Sequence, residues 1–333
     1  MSIPGPKPNF LFGNLLSFFR KPFFQAYQDW YGEYGKTFGY FEGPTPILVT
    51  ADLDVLYEVF VKQFKTFHAR KVWPVQVDPD RDENVHMFFA RGERWRRLRS
   101  IVNPAFSTSK MRLMTPMINQ RIDQMMSVID NHCTNQTDFD AYGIFQRLTF
   151  DTIADCGFGL KTDAMNNPDD ECIKHCRGVI ADTTKRPFLF MLGFIFPKFH
   201  ALWIAIYNFL HHITFNPVFW LEDKMREIVR NQKKNKPSRT NLLELMLTSE
   251  YDATKDNIDV GEIDMNDKVV KRRLLTNEEL VAQCLLFLLA GYETTSTTLA
   301  YIFYELAVNP KAQRRLQEEN RRAFSRGRRR SRV

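Results

Sequence analysis

The chain has 333 residues, 44% of them hydrophobic, and includes 29 phenylalanines, enough apolar material to bury a substantial core and to exclude disorder throughout. Its formal net charge of +7 would suggest an anionic partner, yet that excess equals the seven arginines between Arg321 and Arg332. The body is therefore neutral and no nucleic-acid partner is expected, while five cysteines without regular spacing fit a reducing compartment rather than a disulfide framework.

Short apolar strands are predicted around Lys36 to Tyr40 and Ile47 to Thr50, the second following Pro44 and Pro46. Asn135-Gln136-Thr137 is a formal glycosylation sequon, without consequence for a domain that faces the cytosol. Cys172, His175 and Cys176 would suggest a metal site, but no second pair with zinc-finger spacing follows. A surface helix is expected there, and no metal site. From Pro187 to Trp220 the chain is rich in Phe, Trp, Ile and Leu, with Lys198 as the sole fixed charge. Pro197 interrupts this stretch beside Lys198, which disfavours a continuous membrane span. It reads either as core helices or as an aromatic, amphipathic segment that dips into a lipid surface, and the two are compatible. His211-His212 lies within it with no acid nearby in sequence. Asn231 to Thr240 is polar and linker-like, and the charged stretch from Tyr251 to Arg273 is predicted as an exposed loop.

A long helix is predicted next. Thr276 with Glu279 three positions on forms a capping box, and Pro310 closes the far end after Asn309. About thirty residues lie between, roughly 45 Å of helix. Leu280, Val281, Cys284, Leu285, Phe287, Leu288 and Leu289 make its first half apolar nearly all round, so burial is expected. Gln283 and the short apolar run argue against a membrane span. At its centre stands Leu289-Ala290-Gly291-Tyr292-Glu293-Thr294-Thr295-Ser296, which a helix built only for packing would not contain. Gly291 leaves space against the backbone, and the Thr294 hydroxyl can turn to the carbonyl of Ala290 and compete with the helical bond, opening a polar notch. Thr and Ser inside long helices are often no more than satisfied core polars. Glycine, acid and paired threonines together point to a site.

Ala290-Gly291-Tyr292-Glu293-Thr294-Thr295 resembles the central helix motif A-G-x-[DE]-T-T of the cytochromes P450, most closely the animal microsomal enzymes that oxidise drugs and steroids. Other segments agree. Pro4-Gly5-Pro6 is similar to the family's proline-rich hinge and Gly13-Asn14 to the turn after it. Trp95-Arg96-Arg97-Leu98-Arg99, followed by Asn103-Pro104-Ala105-Phe106, resembles the W-x-x-x-R helix and its continuation. Phe150 to Gly159, then Asn166-Asn167-Pro168, resembles the same subgroup. The resemblance implies a mainly α fold with a small β-sheet over residues 1–319, and leaves residues 320–333 as an Arg-rich tail expected to be disordered.

It also implies a haem cofactor and a role for each matching residue. Trp95 and Arg99, four apart on one helical face, would donate to the propionates, with Arg70 as a further propionate contact; without the resemblance, Trp95 would read as a core aromatic and Arg99 as a surface charge. Ala290 and Gly291 would lie against the haem face. Thr294 would hydrogen-bond the oxygen held there, and Glu293 would feed protons inward. The activity implied is haem-thiolate monooxygenation of a lipophilic small molecule, with electrons from an NADPH-dependent flavoprotein reductase, at the cytosolic face of the endoplasmic reticulum membrane. Membrane contact is expected from Pro187 to Trp220 rather than from an N-terminal anchor.

The family's haem-ligating loop, F-x-x-G-x-R-x-C-x-G, surrounds none of Cys133, Cys156, Cys172, Cys176 and Cys284. Its E-x-x-R pattern occurs at Glu93/Arg96, Glu227/Arg230 and Glu319/Arg322, a frequency that chance explains. The expectation is a family member truncated before that loop. Its alternative function is a non-catalytic fragment that at most associates with membranes or partners.

Overall fold

The computed structural model describes residues 3–71, 78–182, 187–213, 217–235, 241–248 and 275–330. In chain order its helices are α1 (Ser17–Arg20), α2 (Phe23–Tyr34), α3 (Leu53–Tyr57), α4 (Phe64–Phe67), α5 (Gly92–Val102), α6 (Thr108–Thr134) and α7 (Ala141–Phe158). They continue as α8 (Glu171–Asp182), α9 (Pro187–Ile195), α10 (His200–Ile213), α11 (Pro217–Lys234), α12 (Leu242–Thr248), α13 (Asn277–Val308) and α14 (Pro310–Arg330). Strands β1 (Thr37–Glu42) and β2 (Thr45–Thr50) lie between α2 and α3. The mainly helical class with one small sheet matches the sequence-based expectation. The predicted loop from Tyr251 to Arg273 lies outside the described residues.

The chain divides into two units, one made of Met1–Pro104, His175–Val229 and Met246–Gln283, the other of Ala105–Lys174, Arg230–Leu245 and Cys284–Val333. In the first, β1 and β2 pair antiparallel from Thr37↔Thr50 to Glu42↔Thr45. Alternation turns Phe38, Tyr40 and Glu42 inward, where Phe38 and Tyr40 pack on Ala26 and Trp30 of α2. The proline hinge runs against β1: Gly39 N–H donates to Pro4 O at 2.8 Å, and a Cβ on Gly5 would stand only 1.9 Å from Gly39 O. Asn14 completes this edge by accepting from Phe41 N–H at 2.8 Å and donating to Lys7 O at 3.1 Å.

At the hairpin turn Gly43 has φ +57°, and a Cβ there would lie 2.5 Å from Phe194 O. Only glycine lets the end of α9 come so near. Glu42, buried, accepts from Tyr40 Oη at 2.6 Å and from Lys71 Nζ, and the Lys71 ammonium also lies 4.9 Å from the centre of the Phe194 ring.

Pro197 interrupts the aromatic stretch as predicted. Among the described residues no single helix is long and apolar enough to cross a membrane; Leu189–Ile195 and Pro197–Leu210 would be so together, but they are bent by 115°. Leu189 and Ile195 are buried, whereas Phe199, Leu202 and Phe209 are exposed. The stretch is thus core on one side and uncovered on the other. Helix α8 is a surface helix, as expected: Glu171, Lys174 and Arg177 are exposed, while on its inner side Cys176 is buried and His175 stacks on Trp220 with ring centres 3.9 Å apart. The linker-like stretch differs from expectation, because Asn231 to Lys234 are the last turn of α11; residues 236–240 lie outside the described residues.

The second unit is organised by α6, α7 and α13. Met125, Ile144, Phe145, Leu148 and Met165 form a core against which Leu299 and Ala300 of α13 pack. Helix α7 begins with the Asp140 carboxylate accepting from Tyr142 N–H at 3.1 Å. It ends at Gly159, left-handed at φ +67°, with Leu160 N–H returning to Ala154 O at 2.9 Å. Asp151, 1% exposed, accepts from Thr162 Oγ1, Ala164 N–H and Met165 N–H. Arg121 binds Asp155 at 3.2 Å and Thr162 O at 2.9 Å.

Residues 320–330, expected as a disordered tail, instead continue α14 as helix. Arginine is among the better helix formers, and Arg315 to Glu319 and Arg322 to Glu318 pair at i,i+4. The side chains of residues 310–323 are all exposed, so local propensity rather than packing supports this helix.

Helix α13 opens with the predicted capping box. Glu279 N–H donates to Thr276 Oγ1 and Thr276 N–H to Glu279 Oε2, both at 3.1 Å. Glu279 does more than cap. Its buried carboxylate also accepts from Arg97 Nη1 at 3.0 Å and from Arg94 Nε at 3.3 Å, both from α5. Burial pushes this carboxyl upward, but the Arg97 bond, the Thr276 amide and the two guanidinium charges outweigh it and hold the group below its ordinary value. Glu279→Gln should therefore cost about 2 to 3 kcal/mol, since it strands two half-buried arginines, and a urea midpoint equal to wild type would refute the clamp. A depressed folded value contributes stability that is complete above the unfolded value of about 4.3 and is lost on acidification through the folded one. The gap between wild type and variant should accordingly narrow as the pH falls below that range.

Candidate active site

Helix α13 is α-helical from Asn277 to Val308 without a break. Its first half is buried at Leu280, Val281, Cys284, Leu285 and Leu288 and half-buried at Phe287 and Leu289. Gln283, fully buried, accepts from Met87 N–H at 3.0 Å. Beyond Leu289 the helix becomes two-sided. Tyr292 and Ser296 are fully buried, whereas Ala290, Thr294 and Thr298, one turn apart, are exposed.

On the exposed side Thr294 Oγ1 donates to Ala290 O at 2.5 Å, the bond predicted from sequence, and Thr298 Oγ1 repeats it to Thr294 O at 2.8 Å. The expected notch is absent from the backbone: both hydroxyls share carbonyls that the helix keeps. What results is a stripe of hydroxyls and a methyl opposite the buried Tyr292 and Ser296, on a helix whose last turns, from Tyr301 on, are largely exposed.

On the covered side the contacts come from α7. A Cβ on Gly291 would meet Ile153 Cγ1 at 3.3 Å, so the space this glycine leaves is taken by an α7 side chain. Thr149 Oγ1 donates to Tyr292 O at 2.8 Å, and the Tyr292 ring stands edge-on to Phe150. Glu293 also turns this way. Tyr142 Oη donates to its Oε1 and Gln146 Nε2 to its Oε2 at 3.2 Å, while Ser296 Oγ donates to the Glu293 carbonyl at 3.0 Å. Burial, followed by the bond to Glu293, holds the Tyr142 phenol above its ordinary value. The sequence singled out Glu293 and Thr294 as partners; the structure ties them to different sides of one helix.

The second group of predicted residues lies on α5 of the other unit. Trp95 and Arg99 stand at i and i+4, hence on one side of the helix, and Arg91 precedes its first turn with extended backbone. The half-buried Trp95 ring lies 5.9 Å from Phe64 and 5.5 Å from His68. His68 Nδ1 donates to Lys65 O at 2.8 Å, and its Nε2 is buried without a hydrogen-bond partner, as is Arg91 Nε. Arg99 is exposed and makes no ion pair among the described residues. Arg70 is exposed with its guanidinium 4.4 Å from the centre of the Phe88 ring, a cation–π contact that sequence spacing does not announce. One of the three E-x-x-R matches, Glu93/Arg96, is a local ion pair at 2.7 Å on this helix.

The cysteines complete the chemistry. Cys284 is fully buried and its thiol is pushed up to about 12 by desolvation; Cys156, buried beside Asp155, is pushed up to about 11. Both are held as neutral thiols. Cys176 is buried, Cys172 half-buried and Cys133 exposed.

The cytochrome P450 family model matches residues 3–332. Among curated proteins the chain is similar to one from Caenorhabditis elegans that bears the name cytochrome P450 CYP13A10, at 30% identity over 95% of this chain and 63% of that protein. It is also similar to cytochrome P450 3A29 of Sus scrofa, 30% identical over 96% of this chain and 59% of that protein, and to cytochrome P450 3A28 of Bos taurus, 29% identical over the same shares. The chain thus spans about three fifths of the length of these relatives. The matched segment takes in both α5 and the hydroxyl-lined stretch of α13, and the chain belongs to the cytochrome P450 family.

Proposed function

We propose that this chain forms part of a haem-thiolate monooxygenase that inserts one oxygen atom into a lipophilic small molecule. Electrons would come from an NADPH-dependent flavoprotein reductase. The working location would be the cytosolic face of the endoplasmic reticulum membrane, with the exposed aromatics between Pro187 and Trp220 against lipid. The observation that carries this reading is the stripe of Ala290, Thr294 and Thr298, an open, hydroxyl-bearing face opposite the buried Tyr292 and Ser296 of the same helix.

The donors present fit a haem in part. Around Trp95, the buried Nε of Arg91 has no hydrogen-bond partner and Arg99 makes no ion pair among the described residues, so guanidinium N–H capacity stands unspent where an anionic propionate would need it. Trp95, Arg99 and Arg70 would bind the propionates. Ala290 would leave room at the oxygen-binding face, Thr294 would hold a proton there, and Glu293 would supply protons from the α7 side, where Ile153 already fills the space beside Gly291. A bound haem would supply the oxygen activation that no side chain can.

Two of the buried cysteines do not fit an axial sulfur. A ligating cysteine must be a thiolate, and neither Cys156 nor Cys284 lies in surroundings that favour one. The same observation favours a second reading, in which these 333 residues act without catalysis as a membrane- or partner-associating piece. A carbon monoxide difference spectrum of the reduced, purified chain decides between them. A thiolate-type Soret band supports the monooxygenase, and a protein that takes up no haem supports the second reading.

Two further outcomes are expected. Iodoacetamide near neutral pH should modify Cys133 first and leave Cys156 and Cys284 untouched until the protein is denatured, as mapped by mass spectrometry; early labelling of Cys284 would contradict its neutral, buried state. In a version of the chain that carries the family's cysteine loop, Thr294→Ala should lower product formed per electron consumed by about tenfold, within the range for a positioned proton donor. An unchanged ratio would remove Thr294 from the proton path.

A further inference from the structure

The Glu293 carboxylate uses both of its oxygens on α7. Tyr142 Oη donates to Oε1 and the 5% exposed Gln146 donates through Nε2 to Oε2. The backbone is pinned beside them, since Ser296 Oγ donates to Glu293 O and Thr149 Oγ1 to Tyr292 O. Successive residues on a helix point about 100° apart, so a carboxylate held on the α7 side is turned away from the Thr294 hydroxyl one residue on. The acid cannot serve both sides in one rotamer.

We propose that Tyr142 and Gln146 are positioning residues that hold Glu293 in a resting orientation, and that Glu293 reaches the Ala290–Thr294 side only when the Tyr142 bond opens. The latch rests on the reading of Glu293 as the acid of an oxygen-handling site, but its geometry does not depend on a cofactor. Tyr142 touches neither substrate nor cofactor in this scheme. It acts through the side chain it holds, so its loss changes how often Glu293 is free rather than what Glu293 does.

The test is carboxyl labelling of the intact chain with a water-soluble carbodiimide and an amine, read residue by residue by mass spectrometry. In the wild type Glu293 should label slowly. In Tyr142→Phe its labelling should rise by about tenfold, the ratio that corresponds to roughly 1.4 kcal/mol for one lost charge-assisted hydrogen bond, and Gln146→Leu should raise it by a smaller factor. The buried carboxylates Asp151 and Glu279 should keep their wild-type rates in both variants, which separates a released latch from a loosened fold. Equal labelling of Glu293 in all three proteins overturns the proposal, as does a rise shared by Asp151 and Glu279. If the latch is confirmed while Glu293→Gln leaves coupling unchanged in a haem-loaded extended protein, the role of Glu293 in the proposed function fails and the latch stands.

Discussion

A helix that carries polar groups through a packed interior must find a partner for each of them, and α13 is held at one rotation by that requirement. Glu279 needs two guanidiniums, Gln283 an amide, the Tyr292 carbonyl a hydroxyl, and Glu293 a phenol and a carboxamide. An unpaired buried polar group costs on the order of 1 to 3 kcal/mol, and more when charged. A turn of the helix by one residue would leave all of these unmatched at once. Apolar packing alone would not select one rotation so sharply, because the first half is apolar nearly all round.

The open stripe follows from the same constraint. With Tyr292 and Glu293 committed to α7, the rotation that satisfies them presents Ala290, Thr294 and Thr298 outward. The hydroxyls there are satisfied within the helix, so the face needs no protein partner and is chemically ready for one. On α5 the commitments differ. Arg94 and Arg97 bind Glu279 and Arg96 binds Glu93, whereas Arg99 is exposed and makes no ion pair among the described residues.

Local features were legible in the sequence. The capping box of Thr276 and Glu279, the Thr294 bond to Ala290, the break at Pro197 and the hairpin strands all depend on residues within a few positions of one another. The contacts that give the site its orientation were not, because they join residues far apart: 182 positions separate Arg97 from Glu279, and 151 separate Tyr142 from Glu293. Glu279 reads from sequence as a cap, which it is, and nothing in its neighbours announces that it is also a clamp. Gly291 reads as room for a ligand, whereas the side it opens belongs to Ile153. At the arginine-rich end the charge suggests solvation, which holds for the side chains of residues 320–323, while the backbone is helical to Arg330.

Lys71 shows how much can hang on one flexible side chain. A single ammonium answers both the interior carboxylate of Glu42 and the ring of Phe194. Neutralising that nitrogen, as acetylation does, would leave the Glu42 carboxylate with the Tyr40 hydroxyl but no counter-charge, and at the same moment take the cation from the Phe194 ring. One modification would thus loosen two attachments, while the close approach of Gly43 to the end of α9 stays in place.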